Sequence, residues 1–340
     1  MSSSLLARYA DCIFWLARNV ERAENLARIL DVHETFSRDS RGNQNWLSIV
    51  QLYSDEKRFF EKHAVATAEA VLRFYVLDGD NPTSILSAVR NARENARTLR
   101  PLISTEMWVQ LNVFYNRLNA LETTDLAPGG LNRLFNSIKE SCQTHTGVTE
   151  GTFYRDQSWY FYQMGRYIER ADQTTRLLDI KYHLLLPRDA DVGSAVDLSH
   201  WSALLRSAAG YHAFRRLHTS SITPARVAGF LLLNQRFPRS VALCLNEFDG
   251  LLTELKSRYV LRGGNAAAEA IDELRSLLQA HSIETILGRG LHEYIDLIQR
   301  HLMAITTHLR VDFFGHQPPP AEGQEQSQEQ STTAAPATEA

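Results

Sequence analysis

Apolar residues recur along this chain at helical spacing. Ile13, Leu16, Val20, Ala23, Ala27 and Leu30 step by three or four, which lays one apolar stripe along a helix. The stepping returns at Phe161, Met164, Ile168, Ala171, Thr175 and Leu178. No run of alternating apolar and polar residues bounded by hairpin turns stands out, so no strand is predicted. Helix-stopping residues fall at Ser40–Asn43, Gly79–Pro82, Pro101, Pro128–Gly130, Pro187–Gly193, Pro238 and Gly263–Asn265. The pattern predicts an all-α bundle of about a dozen helices. From Gln317 onward the chain is rich in Pro, Gln, Glu, Ser and Thr and has no large apolar residue. That composition cannot bury enough surface to offset its ordering entropy, so residues 317–340 are expected to be a disordered tail.

The two stripes are parts of one copied sequence. Residues 14–32 return 148 positions later as residues 162–180, with seven of nineteen pairs identical: Arg18/Arg166, Glu21/Glu169, Arg22/Arg170, Ala23/Ala171, Arg28/Arg176, Leu30/Leu178 and Asp31/Asp179. Farther on, Trp46 falls on Trp201 and Phe59 on Phe214 at an offset of 155. Phe74/Phe230, Leu77/Leu233, Pro82/Pro238 and Ser84/Ser240 follow at 156. So slow a drift keeps the order of elements and adds only a few loop residues. It predicts a tandem duplication with pseudo-two-fold halves, residues 1–150 and 151–316, the second packed on the first. A repeat this long is a pair of half-domains rather than a solenoid array.

Composition narrows the classes. A chain of 340 residues with 44% hydrophobic residues can bury a sizeable core. Its net charge of -3 argues against a generally basic nucleic-acid binder. Cys12, Cys142 and Cys244 are odd in number, widely spaced and set among apolar or aromatic neighbours, the pattern of packed, reduced thiols. Arg8 and Asp11 interrupt the first apolar residues before a signal-peptide core could form, and no stretch approaches the length of a membrane span. These features predict a soluble, cytoplasmic protein with no membrane association.

Five of the seven copied identities are charged, which a copied core alone does not require. On a helical wheel Arg18 and Arg22 lie roughly opposite the apolar stripe, and Glu21 flanks it. Glu24 and Arg28 are four apart in the favourable acid-first order, as are Asp172 and Arg176. Phe14/Tyr162 and Tyr167 put aromatic residues on the polar side as well, as expected of a helix central in a bundle. Buried charges there must be paired, since a lone buried charge costs several kcal/mol. Three readings stay open: a solvated face, an Arg–Glu network between two pseudo-symmetric helices, and an arginine-lined site for a carboxylate or phosphate. The candidate residues are Arg18, Glu21, Arg22, Glu24 and Arg28, with Arg166, Glu169, Arg170, Asp172 and Arg176 in the copy.

The tandem R-x-x-E-R-A-[ED]-x-x-x-R-x-L-D segments, with GTFYRDQSWYFYQMGRYIERAD leading into the second, resemble the bacterial Alpha-E family. ARENARTLRPLIS at residues 92–104 and PRSVALCL at 238–245 fit the same resemblance. It implies an all-helical protein, usually a tandem duplication, with its ER motif falling here on Glu21–Arg22 and Glu169–Arg170. The genes of that family typically occur with circularly permuted ATP-grasp ligases, transglutaminase-like proteases and an NTN-hydrolase peptidase, so the resemblance points to a peptide synthesis or modification system. It brings no catalytic assignment.

Other chemistry is weakly signalled. Glu21/Glu24 and Glu169/Asp172 give half of a bundle di-metal pattern, but the Glu-x-x-His partners are missing and no metal is expected. His292 opens H-E-Y-I-D, with Asp296 where a zinc protease needs histidine, so a surface or capping role is expected. Gly288 and Gly290 lack the third glycine and the preceding strand of a dinucleotide loop, and no cofactor is implied. The expected role is a non-catalytic partner that positions an ATP-grasp ligase or its substrate. The alternatives are an enzyme of the same pathway, using Glu21 or Glu169 as acid/base and the arginines for a carboxylate or acyl phosphate, and a structural bundle with an unrelated partner.

Overall fold

The computed structural model describes residues 5–39, 45–184, 195–219 and 222–316. Among them are fifteen α-helices, one short 3-10 turn and no strand. The first half contains α1 (Ala7–Asp39), α2 (Leu47–Leu52), α3 (Glu56–Lys62), α4 (Ala68–Val76), α5 (Ile85–Thr98), α6 (Thr105–Asn119) and α7 (Leu131–Thr152), with the 3-10 turn at Thr123–Leu126. The second half contains α8 (Gln157–Leu184), α9 (Ala195–Ser207), α10 (Tyr211–Leu217), α11 (Pro224–Leu233) and α12 (Val241–Tyr259). It ends with α13 (Asn265–Ala280), α14 (Ile283–Arg289) and α15 (Leu291–Phe313). The number exceeds a dozen because α2, α3, α10 and α14 span only six or seven residues, too few for periodicity to reveal. The join between halves falls at residues 153–156, since α7 runs on to Thr152.

The breaks at Gly79–Pro82, Pro101, Pro128–Gly130, Pro238 and Gly263–Asn265 all lie between helices or at a helix start. Those at Ser40–Asn43 and Pro187–Gly193, and the tail at 317–340, lie outside the described residues. The copied Ser84/Ser240 has a local cause. Each is an N-cap whose hydroxyl accepts from the third residue on, Ser87 and Leu243, and donates back to a carbonyl six residues earlier, Asp78 and Asn234. A helix N-terminus has donors without intrahelical partners, and such a cap contributes about 1 kcal/mol. The copied aromatic pair repeats its geometry too: Phe59 meets Phe74 edge-on at 5.2 Å, and Phe214 meets Phe230 edge-on at 5.5 Å.

The centre of the fold is the pairing of α1 with α8, its most extensive helix–helix contact. In α1 every residue from Ala23 to Leu30 is buried, and eight consecutive buried residues mean that neighbours surround the helix on all sides. The rest of the bundle wraps this pair, α5, α7 and α9 against α1 and α2, α12 and α15 against α8. The apolar core is continuous across both halves.

The two central helices meet where one residue has no side chain. A Cβ placed on Gly165 would lie 2.4 Å from the carbonyl oxygen of Phe14, and backbone cannot step aside as a side-chain end can. Gly165→Ala should therefore destabilise the protein by more than about 2 kcal/mol in denaturant unfolding. Gly147→Ala and Gly250→Ala, whose added methyls meet nothing within 4 Å, should each stabilise by about 0.5–1 kcal/mol.

Candidate functional site

The copied charges face each other across the α1–α8 contact. Arg22 reaches Glu169 with two parallel bonds, Nε to Oε1 at 2.7 Å and Nη2 to Oε2 at 3.1 Å. Arg170 does the same to Glu21, at 2.9 and 2.8 Å. Each half thus gives its glutamate to the arginine of the other, which a two-fold axis between the helices requires. The side chains at i+4 from the glutamates complete the arrangement: Asn25 donates to Glu21 at 2.9 Å and Gln173 to Glu169 at 3.1 Å.

One turn farther on, the acid-first pairs also form, and they do more than brace a helix surface. Arg28 holds Glu24 at 2.6 Å and donates at 2.6 Å to the carbonyl of Ser207, the last residue of α9. Arg176 holds Asp172 at 2.9 Å and donates at 3.2 Å to the carbonyl of Leu52, the last residue of α2. Leu52 and Ser207 are equivalent in the repeat, so each half sends an arginine to cap a helix of the other. A cation at a helix C-terminus meets carbonyls without intrahelical partners and the negative end of the dipole. Asp31 and Asp179 act within their own halves, Asp31 receiving Lys139 of α7 at 2.9 Å and Asp179 pairing with His292 of α15 at 2.8 Å. His292 stands in the first turn of α15 with its side chain 26% exposed, where Asn132, donating to Asp31 at 3.3 Å, stands in α7.

One pair breaks the symmetry. Arg166, its side chain as little exposed as that of Arg18, pairs with Glu150 of α7 at 3.1 Å, whereas Arg18 joins the centre, its Nε 2.7 Å from Glu169 Oε2. Arg18 lies opposite the apolar stripe, and that is the direction in which α8 packs. Glu21 takes its second guanidinium from elsewhere. Arg239, in the turn before α12, donates to Glu21 at 2.8 Å, Asn25 at 3.1 Å and Glu24 at 2.6 Å. Arg239 was not among the residues singled out by the sequence, because its repeat partner is Thr83 and comparison of the halves passes over it. Tyr53 was missed for the same reason, standing opposite Ala208; its hydroxyl donates to Gln173 at 3.3 Å.

Nine of the ten candidates fall into two clusters; Arg239 completes the first, and Arg166 stands outside both. Glu21, Glu24, Arg28, Arg170 and Arg239 make one; Glu169, Asp172, Arg176, Arg22 and Arg18 make the other. Each holds two carboxylates and three guanidiniums. Burial pushes the Glu21 and Glu169 carboxyls up, but the arginines on each outweigh it and hold both well below the ordinary value of 4.5. A carboxylate held ionised with both oxygens taken by guanidinium donors neither gives nor takes a proton near neutral pH. In this state both are occupied as salt-bridge partners.

A tandem-duplicated helical bundle closed by reciprocal Glu–Arg pairs is the class these features define. The sequence profile of the Alpha-E family, described as a predicted alpha-helical domain with a conserved ER motif, matches residues 5–314, and the chain belongs to that family. It is also similar to uncharacterized proteins of Mycobacterium bovis and Mycobacterium tuberculosis, 23% identical over 306 residues that cover 82% of this chain and 33% of those proteins. A further Mycobacterium tuberculosis protein is 22% identical over the same extent. The chain thus spans about a third of the length of these relatives. No solved structure matches it.

Two predictions follow from the clusters. Glu21→Ala and Glu169→Ala each strand buried guanidiniums and should cost about 3–5 kcal/mol in denaturant unfolding, as should Arg22→Met, while Arg166→Ala should cost less than about 1 kcal/mol and Arg18→Ala more than that. Acid should weaken the fold in two stages. Burial holds His33 and His145 neutral, with pKa values lowered from 6.5 to about 3 and about 4. The unfolded chain therefore binds more protons below pH 6.5, and stability falls as pH drops through that range. Below pH 4.5 the depressed Glu21 and Glu169 carboxyls add a steeper loss, because the unfolded chain protonates them first. Urea midpoints across pH should show both limbs, with His33→Leu flattening only the upper one.

Proposed function

We propose that this protein is a non-catalytic helical partner of a circularly permuted ATP-grasp ligase in a bacterial peptide synthesis or modification system, acting in the cytoplasm to position the ligase or its substrate. The observation that favours this reading is the use of the motif. Glu21, Arg22, Glu169 and Arg170 are paired with each other through bidentate bonds inside the bundle. Residues spent in this way fix the shape of a scaffold. Burial also pushes the Cys142 and Cys244 thiols up, which keeps them protonated and poorly nucleophilic. The mycobacterial relatives add a second support, since the matching unit makes up a third of each, and a helical unit inside a longer chain works beside other segments. The choice of ligase, with transglutaminase-like and NTN-hydrolase proteins as further partners, rests on the family association. No helix among the described residues is long and apolar enough to cross a membrane.

Affinity purification of the full chain from its native host after mild cross-linking should recover an ATP-grasp ligase at a fixed stoichiometry. Deleting the gene should lower product formation by that ligase while leaving its nucleotide binding intact. Purification without the ligase, together with ligase output unchanged by the deletion, would overturn the proposal.

A further inference from the structure

The two clusters share four equivalent residues each, draw the third arginine from non-equivalent positions, and are unequal in how far their donors are satisfied. Around Glu21, all three nitrogens of Arg170 are engaged: two by Glu21 and the third by the carbonyl of Pro238 at 3.4 Å. All three nitrogens of Arg28 are engaged as well, by Glu24 and by Ser207. Arg239 closes the cluster from the α11–α12 turn, and its side chain is 10% exposed.

Around Glu169 the equivalent groups are left short. Arg22 spends Nε and Nη2 on Glu169, and its Nη1 has no hydrogen-bond partner among the described residues. Arg176 spends Nε on Asp172 and Nη1 on Leu52, which leaves Nη2. Arg18 spends only Nε. The side chains of Arg22 and Arg176 are each 25% exposed, against 12% and 6% for their counterparts Arg170 and Arg28. The cause is local. Thr83 stands where the other half has Arg239, and nothing from the α4–α5 turn takes the Nη1 of Arg22 as Pro238 takes that of Arg170.

Aromatic faces border this open cluster; among the described residues no ring lies under Arg28, Arg170 or Arg239, and Arg166, the repeat partner of Arg18, lies 5.0 Å from the Tyr167 ring outside the closed cluster. The guanidinium of Arg18 lies 4.5 Å from the Trp15 ring and that of Arg22 5.8 Å from it, while Arg176 lies 5.5 Å from the Tyr53 ring. Gln163 and Ala208 occupy the equivalent positions in the copy. Aromatic faces hold guanidinium planes in fixed orientations without consuming their N–H groups. The cluster therefore presents four guanidinium nitrogens without protein partners among the described residues, at a rim whose arginine side chains are 12–25% exposed. Three guanidiniums face two carboxylates there, which leaves one positive charge in excess, with Asp172 already paired to Arg176.

We infer that the rim formed by Arg18, Arg22 and Arg176 beside Trp15 and Tyr53 binds a single anionic group, a carboxylate or a phosphate, while the cluster around Glu21 is closed and structural. The spare nitrogen pair of Arg18 and the single spare nitrogens of Arg22 and Arg176 can donate to the oxygens of either anion. The inference goes beyond the partner reading and does not rest on it: a ligase that fails to co-purify leaves the anion binding unaffected.

The test uses the full chain with two probes, inorganic phosphate and a short peptide with a free C-terminal carboxylate, the C-terminal amide of that peptide serving as control. Calorimetry should show saturable binding of at least one probe and none of the amide. Phosphate alone would assign the group as a phosphate, and the peptide acid alone or in competition with phosphate would assign it as a carboxylate. Arg176→Gln should weaken binding about tenfold or more, while Arg166→Gln, outside the cluster, leaves it unchanged. Footprinting of the unaltered protein with phenylglyoxal gives a reading that needs no variant. Arg22 and Arg176 should react and be protected by the bound probe, with Arg28 and Arg170 inert. Absence of saturable binding by either probe, equal binding of the amide, or binding untouched by Arg176→Gln with no protection of Arg22 would overturn the inference.

Discussion

The bundle depends on two buried carboxylates, each gripped by an arginine from the opposite half. Taking Glu21 and Glu169 out of water costs several kcal/mol apiece, and only a geometry that fills both oxygens offsets that cost. The offset here comes from bidentate arginines, a second guanidinium on each glutamate, and an amide at i+4. Such a requirement is unforgiving of register. If α8 slid by one turn against α1, both glutamates and both arginines would lose their partners at once. An apolar interface alone would tolerate the shift at much lower cost, since Leu, Ile and Ala contacts can be exchanged for one another.

Reciprocity also ties the halves into one body. Neither half contains a complete charge set: Glu21 needs Arg170 and Arg239, Glu169 needs Arg22 and Arg18, and the carbonyl ends of α2 and α9 are capped across the divide by Arg176 and Arg28. Gly165 permits the approach that brings these groups within reach. Within a half, Asp31 and Asp179 anchor the equivalent neighbouring helix through different side chains, a lysine in one and a histidine in the other. The copies have kept the reciprocal Glu–Arg pairs and the two helix caps across the axis, whereas Arg18 and Arg239 reach across it without a counterpart.

Departures from symmetry bear on function. A duplicated protein begins with two equal sites, and divergence can close one while the other keeps its donors available. Arg239 opposite Thr83, Trp15 opposite Gln163 and Tyr53 opposite Ala208 are the substitutions that separate the two clusters here. The first closes the Glu21 cluster, and the others frame the Glu169 cluster with aromatic faces. The motif glutamates stay locked in both, so the anion binding proposed for the Glu169 cluster falls to the arginines around it.

By itself the sequence determined the long helices, the duplication and the identity of the copied charged residues. Those properties are periodic or repeated: the apolar steps of α1 and α8 follow from 3.6 residues per turn, the N-caps at Ser84 and Ser240 from local donors, and the copied charges from comparing the chain with itself. What each charge does was decided only by tertiary structure. Whether Arg18 and Arg22 face water or a partner depends on which helix lies opposite the apolar stripe, and that neighbour is about 150 residues away in sequence. The repeat could not point to Arg239 or Tyr53, since neither is copied. The carbonyls of Leu52 and Ser207 have no side-chain signature at all, and become acceptors only because folding brings the ends of α2 and α9 to arginines of the other half.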